Sequence, residues 1–329
     1  MIQIATSPLQ KLTSIPSIAD VQKVHEAIAP YIHRTPILTC QSINEIAGAD
    51  LYFKCENFQK IGAFKMRGAA SAALSLSETE IGRGLATHSS GNHAQAVALT
   101  AKNLGTKAYI VMPDNSPEVK KKAVAGYGAS ITFCAPTQAA REATLAEIVA
   151  ETGATFIHPY DDYGVIAGQA TCAKEVFEDC PILDVIIAPV GGGGLMSGTA
   201  LSAKYFSPMT KVYGAEPEMV NDAYRSLQSG QLEKNSSTDT IADGLKTNLS
   251  DKTFGIIQKH LEEIILVNEI EIADAMRLIW ERMKIIIEPS CAVPLAAILK
   301  HPAPFSQRKV GLILTGGNVD LNKLPFTKH

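Results

Sequence analysis

A run of four glycines, Gly191–Gly194, is the feature of this sequence that most clearly indicates chemistry. An apolar strand pattern over 184–188 precedes the run, and a helical pattern over 196–204 follows it. In a strand–turn–helix arrangement, free backbone N–H groups and the helix dipole point at one place, which suits a small dianion such as a phosphate. The spacing matches neither the G-x-G-x-x-G dinucleotide fingerprint nor the Gly-Lys-Ser/Thr ending of a P-loop. The run therefore predicts a phosphate site of another kind, with a plain flexible turn as the alternative.

Lys65 is the candidate nucleophile. It stands in Phe64-Lys-Met-Arg-Gly68, with apolar and small residues on both sides. An apolar setting disfavours the ammonium form and lowers the pKa of a lysine, and a neutral amine is what bond formation with a carbonyl group requires. Small neighbours also leave room for a flat ring. The alternative is an ordinary solvated lysine at the start of a helix.

Two further segments end in turns that could bind a ligand. Ser89-Ser-Gly-Asn-His93 precedes a helical pattern, so these residues either cap that helix or bind a carboxylate at its N-terminus. Thr315 ends a buried strand pattern and leads into Gly316 and Gly317. Ligands of open α/β sheets bind at the C-terminal ends of strands, so Thr315 is a candidate ligand contact, with a plain turn as the alternative.

The rest of the sequence predicts the α/β framework that must position these residues. Strand patterns alternate with helical patterns, which indicates mostly parallel sheets covered by helices. Strands are predicted over 107–112, 130–134, 184–188, 211–215, 263–267 and 310–315, and helices over 94–104, 139–151 and 269–286. The polar stretch 230–239 predicts a surface loop.

Composition excludes several classes of partner. The chain has 329 residues, of which 46% are hydrophobic, so it can bury a large core. The net charge is −3 and no basic block occurs, which argues against a nucleic-acid partner. No apolar run is long enough to span a membrane, and residues 1–8 do not resemble a signal peptide. We therefore expect a cytoplasmic protein whose six cysteines are free thiols.

Taken together, these segments resemble the fold type II pyridoxal-phosphate enzymes of the serine/threonine dehydratase and serine racemase family. The resemblance runs from about Val21 to Leu321. It rests on Pro36, Lys54-Cys-Glu-Asn-Phe-Gln-Lys60, Phe64-Lys-Met-Arg-Gly68, Ser89-Ser-Gly-Asn-His93, Tyr127-Gly-Ala129, Ile166-Ala-Gly-Gln169, Gly191–Gly194, Ala215-Glu-Pro217, Ile241-Ala-Asp-Gly244, Glu281-Arg-Met-Lys284, Glu288-Pro289 and Gly316-Gly-Asn-Val-Asp320.

The resemblance implies a tryptophan synthase β-like fold of two lobes, each with a central, mostly parallel sheet flanked by helices. Residues 1–77 and 161–329 would form the large lobe and residues 78–160 the small lobe, with the cofactor between them. It also implies a homodimer. The chain ends at His329 without the C-terminal regulatory domain of biosynthetic threonine dehydratases, so we do not expect inhibition by isoleucine.

The resemblance also implies roles for individual residues. Lys65 would bind the aldehyde of pyridoxal 5'-phosphate and later take the Cα proton of the substrate. The cofactor would further contact Phe64, Asn92, Gly191, Gly192, Gly193, Gly194, Leu195 and Thr315. The substrate carboxylate would be bound by Ser89, Ser90, Asn92 and His93. Ser90 could return a proton to Cα on the opposite face of the ring, which would racemise serine.

The implied reaction is β-elimination of L-serine and L-threonine to a 2-oxo acid and ammonia, together with serine racemisation. A neutral Thr315 hydroxyl beside the pyridine nitrogen makes the ring a weaker electron sink, which suits prompt elimination better than transamination. A threo-3-hydroxyaspartate dehydratase is the alternative, and a β-replacement enzyme fits the motifs less well. A non-catalytic nucleotide-binding module is disfavoured because it would need neither Lys65 nor Thr315.

Two secondary sites follow from the same resemblance. Glu216, Asp222 and the carbonyl of Val220 would bind a divalent cation, Mg²⁺, Mn²⁺ or Ca²⁺. An ATP effector site would be lined by Lys60, Tyr127, Lys284 and Asn318.

Three positions depart from the mammalian racemases. Tyr160 stands where they have Asn, and its His-Pro-Tyr-Asp context is similar to that of fungal racemases and 3-hydroxyaspartate dehydratases. Ile61 replaces a Thr beside the nucleotide, which weakens the expectation of an ATP site. Thr315 replaces the commoner Ser and keeps the hydroxyl.

Overall fold

A computed structural model describes residues 9–116 and 118–326 of the chain. The segment 1–8, which does not resemble a signal peptide, and the chain end at His329 lie outside the described residues. The helices are α1 (Ile18–Ile28), α2 (Gln41–Ala47), α3 (Lys65–Leu74), α4 (Glu78–Arg83), α5 (Asn92–Asn103), α6 (Glu118–Gly126), α7 (Gln138–Thr152), α8 (Tyr163–Asp179), α9 (Gly194–Phe206), α10 (Asp222–Ser229), α11 (Asp251–His260), α12 (Glu269–Met283) and α13 (Pro289–Lys300). The strands are β1 (Ile37–Leu38), β2 (Asp50–Cys55), β3 (Leu85–His88), β4 (Ala108–Pro113), β5 (Ser130–Cys134), β6 (Thr155–Phe156), β7 (Val185–Pro189), β8 (Lys211–Pro217), β9 (Glu263–Val267) and β10 (Lys309–Leu314).

The larger of two sheets has six strands in the order β1-β2-β10-β7-β8-β9. β1 pairs antiparallel with β2, and all other pairs are parallel. Alternate residues of β7 face opposite sides of this sheet. Val185 and Ile187 join the core under α12 and α13, while Ile186 and Ala188 join the core under α8 and α9. Burial on both faces explains why β7 is a continuous apolar run in the sequence.

The smaller sheet has four parallel strands in the order β5-β4-β3-β6, packed against α5 and α7. The predicted α/β architecture of mostly parallel sheets flanked by helices is therefore confirmed. All four strands fall within 78–160, and the division of the chain into lobes with those boundaries stays a prediction. No helix of the described residues is both long and apolar enough to cross a membrane, and the six cysteines are free thiols.

Each of the six predicted strands is present, with ends shifted by two residues at most. The predicted helix 269–286 was too long, because α12 ends at Met283 where Lys284 takes a left-handed conformation with φ 60°. The stretch 230–239 contains no helix or strand, as predicted. The strands β1, β2, β3 and β6 were missed.

Helix α3, which begins at Lys65, is fixed from two sides. A Cβ atom on Gly168 of α8 would stand 2.5 Å from the carbonyl oxygen of Arg67, so the two helices touch backbone to backbone. The buried Arg67 guanidinium pairs with Glu56 at 2.7 Å and with Glu175 at 2.8 Å. Lys54 pairs with the same Glu175 at 2.6 Å, so two buried cations neutralise two buried carboxylates. This network holds the first turn of α3 in place.

Candidate active site

Lys65 and Thr315 are brought together by a short antiparallel contact between two chain segments. The N–H of Phe64 donates to the carbonyl oxygen of Thr315 at 3.0 Å, and the N–H of Gly317 donates to the carbonyl oxygen of Gly62 at 2.9 Å. Between these bonds, Ala63 pairs with Gly316. The end of β10 therefore lies beside the start of α3, which explains how residues so far apart in the sequence can face one ligand.

The Lys65 amine lies in a desolvated place. Its Nζ donates to the carbonyl oxygen of Pro159 at 2.8 Å and lies 5.2 Å from the centroid of the Phe64 ring. Although the residue as a whole keeps some exposure, burial of the amine lowers the pKa of Lys65 to about 8. A much larger fraction of this amine is neutral near pH 7 than of an ordinary lysine, which is the property predicted for the nucleophile.

The glycine run forms the turn between β7 and α9. Helix α9 begins at Gly194, two residues earlier than its sequence pattern suggests, after Gly193 takes a left-handed conformation with φ 82°. Within the described residues, no acceptor is hydrogen-bonded to the backbone N–H groups of Gly191, Gly192, Gly193, Gly194 or Leu195. Five free N–H groups at a helix N-terminus fit a phosphate.

Tyr160 explains why this turn needs glycine. A Cβ atom on Gly192 would stand 2.3 Å from Cδ1 of Tyr160, and one on Gly194 would stand 2.9 Å from Cβ of Tyr160. The preceding residue, Pro159, supplies the carbonyl that binds Lys65. Pro159 and Tyr160, which are neighbours in the chain, therefore contact the lysine and the glycine turn. From the sequence alone, Tyr160 was noted only because mammalian racemases have Asn at this position.

The substrate segment leads from β3 into the N-terminus of α5. The Ser89 hydroxyl accepts from the N–H of Gly91 at 3.3 Å, and Asn92 is the first helical residue. The Nε2 of His93 lies 2.9 Å from the carbonyl oxygen of Ile157 and must carry a proton there, since a carbonyl only accepts. Burial lowers the pKa of His93 well below its usual value, so the ring is neutral. Its side chain has no N–H left for a carboxylate, which leaves the backbone N–H of His93 as a donor.

Glu288 is a residue of this site that the sequence analysis missed. The Asn92 amide donates to its carboxyl group at 2.9 Å, and the backbone N–H of Asn318 donates to it at 3.2 Å. Burial, followed by the charge of Asp243, raises the pKa of Glu288 to about 8. Glu288-Pro289 belongs to the motifs that carry the resemblance, but no spacing in the sequence shows that it faces Asn92.

Thr315 is buried directly after the end of β10, where its side chain lies beside the thiol of Cys291. Its hydroxyl is a neutral polar group, as the sequence predicts for a ligand contact at this position.

The proposed cation ligands Glu216 and Asp222 are both fully buried. Glu216 accepts from the N–H groups of Ala223 and Tyr224, at 3.2 and 2.9 Å, and Asp222 accepts from Leu249 at 2.8 Å. Burial raises the pKa of Glu216, with the charge of Asp222 as the next cause, and burial raises the pKa of Asp222 to about 6. Neither carboxylate has a salt bridge within the described chain, so no side-chain cation neutralises them. The described residues also contain no cluster of three or more His, Cys, Asp or Glu side chains that could bind a metal ion.

The proposed nucleotide residues are not brought together by direct contacts. Lys60 donates to the carbonyl oxygen of Pro30 at 3.2 Å, and the Lys284 amine donates to the carbonyl oxygen of Glu281. Tyr127 packs against the core that contains Ile61. Asn318 instead donates to Asn92 at 2.8 Å, inside the polar cluster of the candidate active site.

The geometry fits three functional groups of pyridoxal phosphate. A desolvated lysine amine suits the aldehyde, a cradle of free N–H groups suits the phosphate, and a neutral hydroxyl is available for the pyridine nitrogen. An α/β protein with two mostly parallel sheets and this set of groups belongs to the class of lysine-dependent, fold type II pyridoxal-phosphate enzymes.

Comparison with known proteins identifies the family. The family model described as "Pyridoxal-phosphate dependent enzyme" matches residues 28–316. The chain is 49% identical to the β-hydroxyaspartate dehydratase of Paracoccus denitrificans, over 95% of this chain and 99% of the relative. It is 50% identical to the serine racemase of Dictyostelium discoideum, over 94% of this chain and 96% of the relative. The solved structure of a T.th. threonine deaminase is 42% identical with a TM-score of 0.89, covering 93% of this chain and 99% of that chain. The chain belongs to the family of pyridoxal-phosphate-dependent enzymes.

Proposed function

We propose that this protein is a lyase that converts L-serine and L-threonine to a 2-oxo acid and ammonia, and that it also racemises serine. The single observation that carries this proposal is the desolvated Lys65 amine beside the glycine turn. The amine donates to the carbonyl oxygen of Pro159, and the next residue, Tyr160, packs against Gly192 and Gly194 of the turn whose N–H groups are free within the described residues. The names of the similar proteins support the same reaction class.

In this proposal, Gly191–Gly194 and Leu195 bind the phosphate through backbone N–H groups, and Phe64 packs beside the ring. Asn92 would contact the ring hydroxyl and Thr315 the pyridine nitrogen. Because Thr315 carries no charge, it does not stabilise a proton on that nitrogen. When bound, the cofactor withdraws the electron pair left at the substrate Cα.

Lys65 handles the proton. Its amine, with a pKa of about 8, is a base of suitable strength to take the Cα proton near neutral pH. The β-hydroxyl group leaves as water with the proton that Lys65 took from Cα, and hydrolysis of the product releases ammonia. The substrate carboxylate is bound at the N-terminus of α5 by Ser89, Ser90 and Asn92 and by the backbone N–H of His93. For racemisation, Lys65 keeps the proton it took from Cα, and the Ser90 hydroxyl donates its own proton to Cα from the other face.

A threo-3-hydroxyaspartate dehydratase is the second candidate, and Arg141 of α7 favours it. The buried Nε of Arg141 has no hydrogen-bond partner within the described chain, and no acidic residue there pairs with its guanidinium. The pKa of His88, the residue before Ser89, is lowered mainly by burial and next by the positive charge of Arg141. The charge of Arg141 therefore acts on the start of the carboxylate segment. A cation without a partner beside the carboxylate segment suits the second carboxylate of 3-hydroxyaspartate. The relative named β-hydroxyaspartate dehydratase supports the same substrate.

The experiment that separates these substrates is a parallel assay of L-serine, D-serine, L-threonine and threo-3-hydroxyaspartate. Formation of 2-oxo acid from serine and threonine, with interconversion of the serine enantiomers, is the expected result. Turnover of 3-hydroxyaspartate alone would support the second candidate, and turnover of none of them would contradict both.

Further features belong to the proposal. Glu216, Asp222 and the Val220 carbonyl would bind Mg²⁺, Mn²⁺ or Ca²⁺, since two buried carboxylates without a cationic partner are costly. An ATP effector would use Lys60, Tyr127, Lys284 and Asn318. The resemblance further supports a cytoplasmic homodimer whose two lobes, 1–77 with 161–329 and 78–160, close over the substrate.

A further inference from the structure

His158 has no part in the roles proposed above, yet it directly precedes Pro159, whose carbonyl binds the Lys65 amine. Its Nδ1 accepts two backbone hydrogen bonds, from the N–H of Tyr160 at 3.2 Å and from the N–H of Asp161 at 2.7 Å. A ring nitrogen that accepts cannot carry a proton, so the ring is the neutral tautomer with its proton on Nε2. Burial lowers the pKa of His158 to about 4, in agreement with a neutral ring at physiological pH.

The two hydrogen bonds close a turn over residues 158–161, and this turn contains Pro159 and Tyr160, the two residues that contact the candidate active site. The carbonyl oxygen of Pro159 accepts from the Lys65 amine at 2.8 Å. The ring of Tyr160 lies against Gly192 and the Cβ of Tyr160 lies against Gly194, so closely that neither position has space for a Cβ atom. One histidine side chain therefore fixes a contact to the amine and a contact to the glycine turn.

The ring of His158 also packs between two aromatic rings. Its centroid lies 5.4 Å from that of Phe156 and 4.8 Å from that of Tyr160, edge to face in both cases. Packing and hydrogen bonding are thus two separable properties of this residue.

We propose that His158 is a positioning residue, which closes the 158–161 turn so that the Pro159 carbonyl meets the Lys65 amine and Tyr160 lies against the glycine turn. The inference rests on the proposed function, because it takes Lys65 and Gly191–Gly194 to bind the cofactor. It requires an acceptor atom at the position of Nδ1 and does not require a group that titrates.

Two variants separate the acceptor from the ring. In His158→Asn, the side-chain oxygen is attached to Cγ, as Nδ1 is, and asparagine commonly closes such turns. In His158→Phe, the ring between Phe156 and Tyr160 is kept and the acceptor is lost. His301→Phe, the same change at an exposed position, is the control.

The readouts are the rate at which the holoenzyme loses cofactor on dilution, followed by its visible absorbance, and the separate values of kcat and KM. His158→Asn is expected to stay within about threefold of the parent in all of them. In His158→Phe, the rate of cofactor loss is expected to rise, and kcat to fall, by about tenfold or more, since two backbone N–H groups lose their acceptor. KM for the amino acid should change little, because the two hydrogen bonds that are lost go to Tyr160 and Asp161 and not to the segment 89–93.

Parent-like behaviour of His158→Phe, or an equal loss in His158→Asn, would overturn the proposal. If His158→Phe does not fold, His158→Asn decides alone: values near the parent support positioning, and a loss of about tenfold contradicts it. Borohydride trapping of the parent at Lys65 is done first. A parent that is not trapped refutes the proposed function, whereas a trapped parent with an unaffected His158→Phe refutes only the positioning role.

Discussion

The side-chain amide of Asn318 donates a hydrogen bond to the side-chain oxygen of Asn92 at 2.8 Å. Asn92 in turn donates to Glu288, and the backbone N–H of Asn318 donates to the same carboxyl group. Asn92 was expected to contact the cofactor and Asn318 a nucleotide. Both belong to one polar cluster around the buried carboxyl group of Glu288. The protonation of Glu288 is therefore expected to affect the stability of the whole cluster.

Glu288→Gln is expected to change how stability depends on pH. The folded protein holds the Glu288 proton up to a pKa of about 8, whereas the carboxyl group of the unfolded chain ionises near 4.5. Between these values the folded state binds more protons, so the contribution of Glu288 to stability falls as the pH rises. The melting temperature of Glu288→Gln minus that of the parent should therefore increase from pH 5 to pH 8. A difference that stays constant, as expected for the exposed control Glu26→Gln, would contradict this account.

Gly192→Ala is expected to damage the cofactor site. The added methyl group would stand 2.3 Å from the Tyr160 ring, so the ring or the turn must move, at a cost of about 1–3 kcal/mol. Cofactor affinity should fall about tenfold or more, measured by titrating the visible absorbance. The matched control is Gly255→Ala in α11, where a Cβ meets no atom within 4 Å and alanine favours the helix. Equal affinities of the two variants would contradict the proposed packing of Tyr160.

Much of this site was predictable because local pattern carries it. The position of the glycine turn, the candidate Lys65 at the start of a helix and the strands β7 and β8 follow from apolar runs and turn residues that are adjacent in the chain. Glu288 and the turn at His158 were not predictable, because they act through contacts with residues far away in the sequence. Strand β2 was missed because Asp50 and Lys54 interrupt its apolar pattern. Lys54 is nevertheless buried, because it pairs with Glu175 of α8 and donates to the carbonyl oxygen of Thr35.

Arg141→Gln is expected to separate the two candidate substrates. If the guanidinium binds a second carboxylate, its loss should lower kcat/KM for threo-3-hydroxyaspartate by about 10- to 100-fold, the value of a charged hydrogen bond. Serine has no second carboxylate, so its kcat/KM should change by less than about threefold. Equal losses for both substrates would show that Arg141 does not recognise that carboxylate.

Glu216→Gln is expected to abolish a response to divalent cations. A cation that binds only the folded protein raises its melting temperature, so chelation should lower the melting temperature of the parent and readdition of Mg²⁺ should restore it. The variant should melt at the same temperature under both conditions. Glu218→Gln, two residues away and exposed, should keep the response of the parent. A parent that is indifferent to chelation, Mg²⁺, Mn²⁺ and Ca²⁺ would refute the cation site.

The most direct test of the central claim is borohydride reduction of the purified holoenzyme followed by peptide mapping. The account predicts a yellow protein whose visible band disappears on reduction, with the cofactor mass attached to the peptide that contains Lys65. Lys65→Ala should trap no cofactor and lose elimination activity, while Lys60→Ala, whose amine binds the Pro30 carbonyl, should still be trapped at Lys65. Cofactor attached to another lysine, or a Lys65→Ala variant with full activity, would contradict the account.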